Sequence, residues 1–205
     1  MSLKKFSELF GDLDSINSTN NKIEVLKNYF LSNDPIDNSW AIYLLTGKSN
    51  KRFISGRYLK NLFSQIYEYP QWLIDTCYLK VGDSAEVITL LLKNKTTSRN
   101  KKLSNISLNE LLSKTIPELS KLNEEEKNLQ IKNIWETLPE DNHLIFNKIL
   151  TGTFRVGVSI GLITKSISKL INIDEEIISH RLMGDFKPSI DSYEFLINKN
   201  INLQE

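Results

Sequence analysis

One cysteine, Cys77, and two histidines, His143 and His180, are all that the 205 residues offer of the softer metal ligands. A single cysteine excludes an intramolecular disulfide and any cysteine-rich metal site. Its neighbours Ile74, Tyr78 and Leu79 mark it as a small core residue rather than a nucleophile, and the histidines are too far apart for metal-ligand spacing. No apolar run approaches the roughly 20 residues of a membrane-spanning helix. The start, Met1-Ser2-Leu3-Lys4-Lys5-Phe6, has no signal-peptide hydrophobic stretch. The expectation is a soluble, intracellular chain with no membrane partner. Charge of one sign is lacking too: 26 basic against 25 acidic residues leave a net charge of +1. A bland total can still hide a basic face, so local clusters carry the information. Neither a G-x-x-x-x-G-K-[ST] nor a G-x-G-x-x-G phosphate loop occurs.

Strand signals are equally scarce. Alternation is short everywhere, and there is no Asn-Gly or Asp-Gly hairpin turn. No fixed-period repeat suggests a solenoid. What fills the chain is helical periodicity. Phe6, Leu9, Phe10 and Leu13 share one face; Ile23, Leu26, Tyr29 and Phe30 repeat it, with Thr19 as the expected N-cap. Pro35 ends that helix, because proline lacks an N–H and disfavours helical geometry in Asp34 before it. The next helix carries Trp40, Tyr43, Leu44 and Leu45 and stops at Gly47. Further helices are predicted over 56–68, 71–80, 84–93, 160–171, 175–182 and 190–198. Asp83 with Glu86, and Ser107 with Glu110, have capping-box spacing. The acidic run Glu124-Glu125-Glu126 suits the positive end of a helix through Ile131, Ile134 and Trp135. Pro139 opens another through Leu144, Ile145, Ile149 and Leu150. Together these predict an all-α domain of about ten to twelve helices over residues 1–205, interrupted by one long polar loop at about 94–106.

Four segments could approach an anion. Lys48 to Lys60 holds Lys48, Lys51, Arg52, Arg57 and Lys60 without an acidic residue; Lys93 to Lys102 holds Lys93, Lys95, Arg99, Lys101 and Lys102. Such clusters attract a nucleic-acid backbone because phosphate contacts release condensed counterions. A solvated loop has the same composition, and Phe53 and Tyr58 within the first cluster read as core anchors. The third segment is Thr151-Gly152-Thr153-Phe154-Arg155-Val156-Gly157-Val158-Ser159, two glycines around an arginine before an apolar helix. Unpaired N–H groups at that helix start, its dipole, Ser159 and Arg155 suit a phosphate. A plain helix-ending turn with Arg155 in solvent fits the same residues. Val81-Gly82-Asp83-Ser84 is a second glycine-bearing helix entrance, with Asp83 as the cap and Gly82 open to close approach.

The segments Phe6-Ser7-Glu8-Leu9-Phe10, Trp40 to Gly47, Val81 to Glu86, Phe154 to Ser159 and His180 to Asp185 resemble, in order and separation, the N-terminal domain of ATP-dependent DNA ligases, especially a bacterial branch. The resemblance implies an all-α domain lying against the minor groove around a nick. It would contact sugars and phosphates, which position a duplex without reading its bases. Gly82 and Ser84 would then form one backbone contact, and Arg155, Gly157 and Ser159 the other. Lys48, Arg52 and Arg57 join them on charge alone. The family's K-x-D-G motif, whose lysine takes up AMP, is missing, since no Asp-Gly dipeptide occurs. The expectation is an inactive segment ending near Glu205, with no catalytic or metal-binding residue and no cofactor of its own. Adenylation and OB-fold domains would follow, and ATP and Mg²⁺ would serve that intact ligase. The implied partners are double-stranded or nicked DNA and the ligase's own catalytic domains, the protein being a cytoplasmic, nucleoid-associated monomer. The alternative is a helical protein-interaction module with no DNA role.

Overall fold

The computed structural model describes residues 2–48, 52–93, 95, 103, 105–154 and 157–199. Every regular element among them is helical: α1 (Ser2–Ser15), α2 (Thr19–Ser32), α3 (Pro35–Leu45), α4 (Gly56–Tyr67), α5 (Gln71–Val81), α6 (Ser84–Leu92), α7 (Leu108–Glu110), α8 (Ile116–Lys121), α9 (Glu124–Thr137), α10 (His143–Thr151), α11 (Ile160–Ile171), α12 (Glu175–Met183) and α13 (Ile190–Ile197). A π turn, Leu111–Thr115, joins α7 and α8 into one continuous rod, so the all-α reading holds with twelve helices. The π turn left no mark in the periodicity. Most of the expected polar loop at 94–106, with Lys51, Arg99, Lys101 and Lys102, lies outside the described residues. None of the described helices is long and apolar enough to cross a membrane.

Local chemistry accounts for most boundaries. Asn123 and Glu126 form a full capping box on α9, the Asn123 side chain accepting from Glu126 N at 2.9 Å and the Glu126 carboxylate from Asn123 N at 3.2 Å. Ser107 Oγ likewise accepts from Glu110 N. Two expectations change. The N-cap of α2 is Ser18, whose hydroxyl accepts from Asn21 N, and Thr19 is the first helical residue. Asp83 caps α6, but Glu86 does not complete a box because its carboxylate turns to Lys148 instead.

One apolar cluster runs through the molecule from Leu3 and Phe6 to Tyr193 and Leu196. Helix α10 sits at its centre, packed against α6 and α1. Burial there reaches three side chains that cannot enter a core without partners. Asn147 accepts from Trp135 Nε1 at 2.9 Å and donates to Thr89 Oγ1 at 3.0 Å, linking α9, α10 and α6. Lys148 meets two carboxylates. His143 Nε2 lies 3.1 Å from the Leu138 carbonyl.

Burial disfavours the charged imidazole and holds the His143 pKa below its ordinary 6.5, although the backbone carbonyls of Trp135 and Leu138 oppose the effect. The unfolded chain therefore binds a proton through a pH range in which the folded chain does not. Stability is complete above the unfolded pKa and declines as pH falls through 6.5 toward the folded value. The melting temperature should drop between about pH 7.5 and about pH 5.5, and His143→Gln should flatten that drop. An equally steep fall in the variant would assign the acid sensitivity to other groups.

Candidate nucleic-acid interface

The ends of four helices meet around one surface cleft of about 420 Å³, lined by Arg52, Ser55, Gly56, Arg57, Lys60, Tyr78, Gly82, Asp83, Ser84, Thr151 and Thr153. Its floor begins with α10. The carbonyl of Leu150 accepts from both Phe53 N at 3.0 Å and Ile54 N at 2.9 Å, which fastens the segment before α4 to the end of α10. Ser55 then caps α4, its hydroxyl accepting from Tyr58 N at 3.0 Å. Gly82 ends α5 at φ +81°, a left-handed conformation that glycine adopts without steric cost, and turns the chain into α6. A Cβ on Gly82 would meet nothing within 4 Å, so its backbone faces open space.

The first residues of α4 and α6 touch. A Cβ on Gly56 would fall 2.5 Å from Ser84 Oγ and 3.0 Å from Ser84 Cβ, so only glycine allows this approach. Two positive helix ends thus open on one cleft. The amides of Gly56, Arg57 and Ser84 have no hydrogen-bond partner among the described residues. Arg52 and Arg57 are exposed at the rim, with no hydrogen bond or salt bridge to described residues. Lys60 is differently placed. Its ammonium lies 2.6 Å from Asp75 Oδ1 and 4.4 Å from the Tyr78 ring centroid. The Lys60 hydrogen bond holds the Asp75 carboxyl below the usual carboxylate range, with Gln71 and Arg57 adding to the effect.

Of the residues singled out in the sequence, Arg52, Arg57, Gly82 and Ser84 come together here, from segments about 30 residues apart. Gly157 and Ser159 line a second, shallower cleft with Leu45, Thr46, Gly47, Phe154 and Val158. There Ser159 caps α11 by accepting from Leu162 N at 3.3 Å, leaving its hydroxyl hydrogen free to donate outward. Lys22 of α2 reaches the same place, donating to the Gly157 carbonyl at 3.4 Å. Arg155 lies outside the described residues. Thr151 and Thr153 line the first cleft, and Gly157 and Ser159 the second.

Lys48 joins neither. Its ammonium donates to the carbonyls of Leu182 at 2.8 Å and Gly184 at 2.6 Å, at the negative end of α12. Lys95 similarly lies over the Tyr69 ring, 5.0 Å from its centroid. Ser55 and Gly56 were not singled out in the sequence, since neither carries a charge or a motif, whereas Thr151 and Thr153 lie in the glycine-bearing segment named there. Lys148 did leave a signal: a lone cation inside the apolar run Leu144-Ile145-Phe146-Asn147-Lys148-Ile149-Leu150. No group of three or more His, Cys, Asp or Glu that could hold a metal ion occurs among the described residues.

A family model described as DNA ligase N terminus matches residues 2–168, a span that contains both clefts. No curated protein matches the chain.

Proposed function

The chain belongs to the DNA ligase N-terminus family, and on that premise we propose that it grips duplex DNA around a nick through the sugar–phosphate backbone, as part of an ATP-dependent ligase. The observation that carries this reading is the convergence of Arg52, Arg57 and the starts of α4 and α6 on one cleft. Backbone amides, helix dipoles and unpaired guanidinium groups favour a phosphate oxygen. None of them reads a base, which suits an enzyme that must seal any sequence. The second cleft, with Gly157 and Ser159, supplies a further phosphate contact, and Arg155 belongs to the same proposed grip by its charge and its place in the sequence. Lys48 contributes through the fold, by tying the segment before α4 to the end of α12. In this reading AMP transfer and sealing belong to the ligase's catalytic domains, which use ATP and Mg²⁺.

Fluorescence anisotropy with nicked duplex across a salt series tests the proposal. Saturable binding that weakens linearly in log affinity against log salt, at similar strength for unrelated sequences, is the expected result. No binding at low salt and high protein concentration would overturn it for this chain and favour a protein-interaction module.

A further inference from the structure

Lys148 acts on the first cleft from the inside of the molecule, through Asp83, which lines it. It stands in the last turn of α10, and only 3% of its side chain is exposed. Its ammonium lies 3.1 Å from Asp83 Oδ2, 2.9 Å from Glu86 Oε1 and 5.5 Å from the Phe10 ring centroid. A buried lysine requires such partners. These two are the acidic residues at the entrance of α6, the helix end that opens on the cleft.

That placement settles a conflict within the cleft. Asp83 lines it, and its Oδ1 already accepts from Ala85 N at 2.8 Å and Glu86 N at 3.1 Å. An uncompensated carboxylate in this position satisfies the helix start and repels the anion that the helix dipole would otherwise hold. Lys148 cancels negative charge from the buried side and takes Oδ2. Asp83 can then cap α6 without setting the field of the cleft, which is left to Arg52 and Arg57. Resting on the DNA-binding reading above, we propose that Lys148 is a positioning residue for the bound phosphate: from within the core it offsets one of the two negative charges at the α6 entrance.

The test measures nicked-duplex affinity by anisotropy, with a melting curve for every variant. Lys148→Met should weaken binding about tenfold, because Asp83 then faces the phosphate uncompensated, with the Glu86 carboxylate close behind it. Adding Asp83→Asn, which removes one charge and keeps a good N-cap, should restore most of the affinity. Glu86→Gln is the independent arm, since its side chain is 43% exposed and its amide can still accept from Lys148. It should tighten binding severalfold. A folded Lys148→Met that binds weakly and is not rescued by Asp83→Asn would reduce the lysine to a packing role and overturn the proposal. Should Lys148→Met fail to fold, Glu86→Gln decides: tighter binding supports the role, unchanged binding overturns it. If the unaltered chain binds no DNA at all, the DNA reading itself falls. If it binds and all the variants match it, only the role of Lys148 is lost.

Discussion

Replacing Trp135 by alanine is expected to lower the melting temperature by roughly 10 °C, the largest stability effect of any single substitution proposed for this protein. Trp135 is fully buried, and its ring lies 6.2 Å from Phe63 and 6.4 Å from Tyr67, the first edge-on and the second tilted. Truncation removes the apolar body and leaves a cavity, at a cost of about 3–5 kcal/mol in a well-packed core. It also strands Asn147 Oδ1, which accepts from Trp135 Nε1. Trp135→Phe separates the two contributions, since it keeps an aromatic ring and deletes the donor. That change should cost about 1–3 kcal/mol, the penalty for a buried acceptor left unmade. Pairing it with Asn147→Leu should cost less than the sum of the single substitutions, because the second removes the group the first leaves unpaired. Full additivity would mean that the Trp135–Asn147–Thr89 chain contributes nothing as a network.

The largest effect on binding is expected from Arg52→Ala combined with Arg57→Ala. Each guanidinium lies exposed at the cleft rim without a salt bridge among the described residues, so its removal leaves no described carboxylate stripped of an ion pair. Two charge-assisted phosphate contacts of about 1.5 kcal/mol each amount to roughly 100-fold in affinity. The slope of log affinity against log salt should become shallower by about two, because two fewer counterions are released. The loss should be the same for unrelated DNA sequences, and the melting temperature should hardly change. Lys48→Ala makes the contrast. Its ammonium holds the carbonyls of Leu182 and Gly184, so stability should fall while the salt slope stays constant. A shallower slope for Lys48→Ala, with an unchanged one for the arginine pair, would place the DNA on the other side of the 48–57 segment.

The amino-acid sequence by itself determined the helices and most of their ends. Apolar spacing such as Phe6, Leu9, Phe10 and Leu13 acts within two turns, and all four residues are buried. Caps such as Asp83, Ser107 and Asn123 act over two or three residues and need nothing distant. Where such signals compete between neighbours, the boundary shifts by one, as with Ser18 and Thr19. The sequence also held the family, because the order of short motifs along the chain carries it without any fold. Tertiary structure alone decided which cations face the same way. Lys48 and Arg57 stand in one basic stretch with the same local chemistry. Only packing sends Lys48 to the carbonyl end of α12 and leaves Arg57 at a cleft shared with α6. Lys148 is the sharper case. Its meaning rests on Asp83 and Glu86, more than 60 residues earlier. Helical periodicity and capping are short-range, whereas an electrostatic field sums charges over space irrespective of their order in the chain. The cleft therefore exists only once α4, α6 and α10 have met.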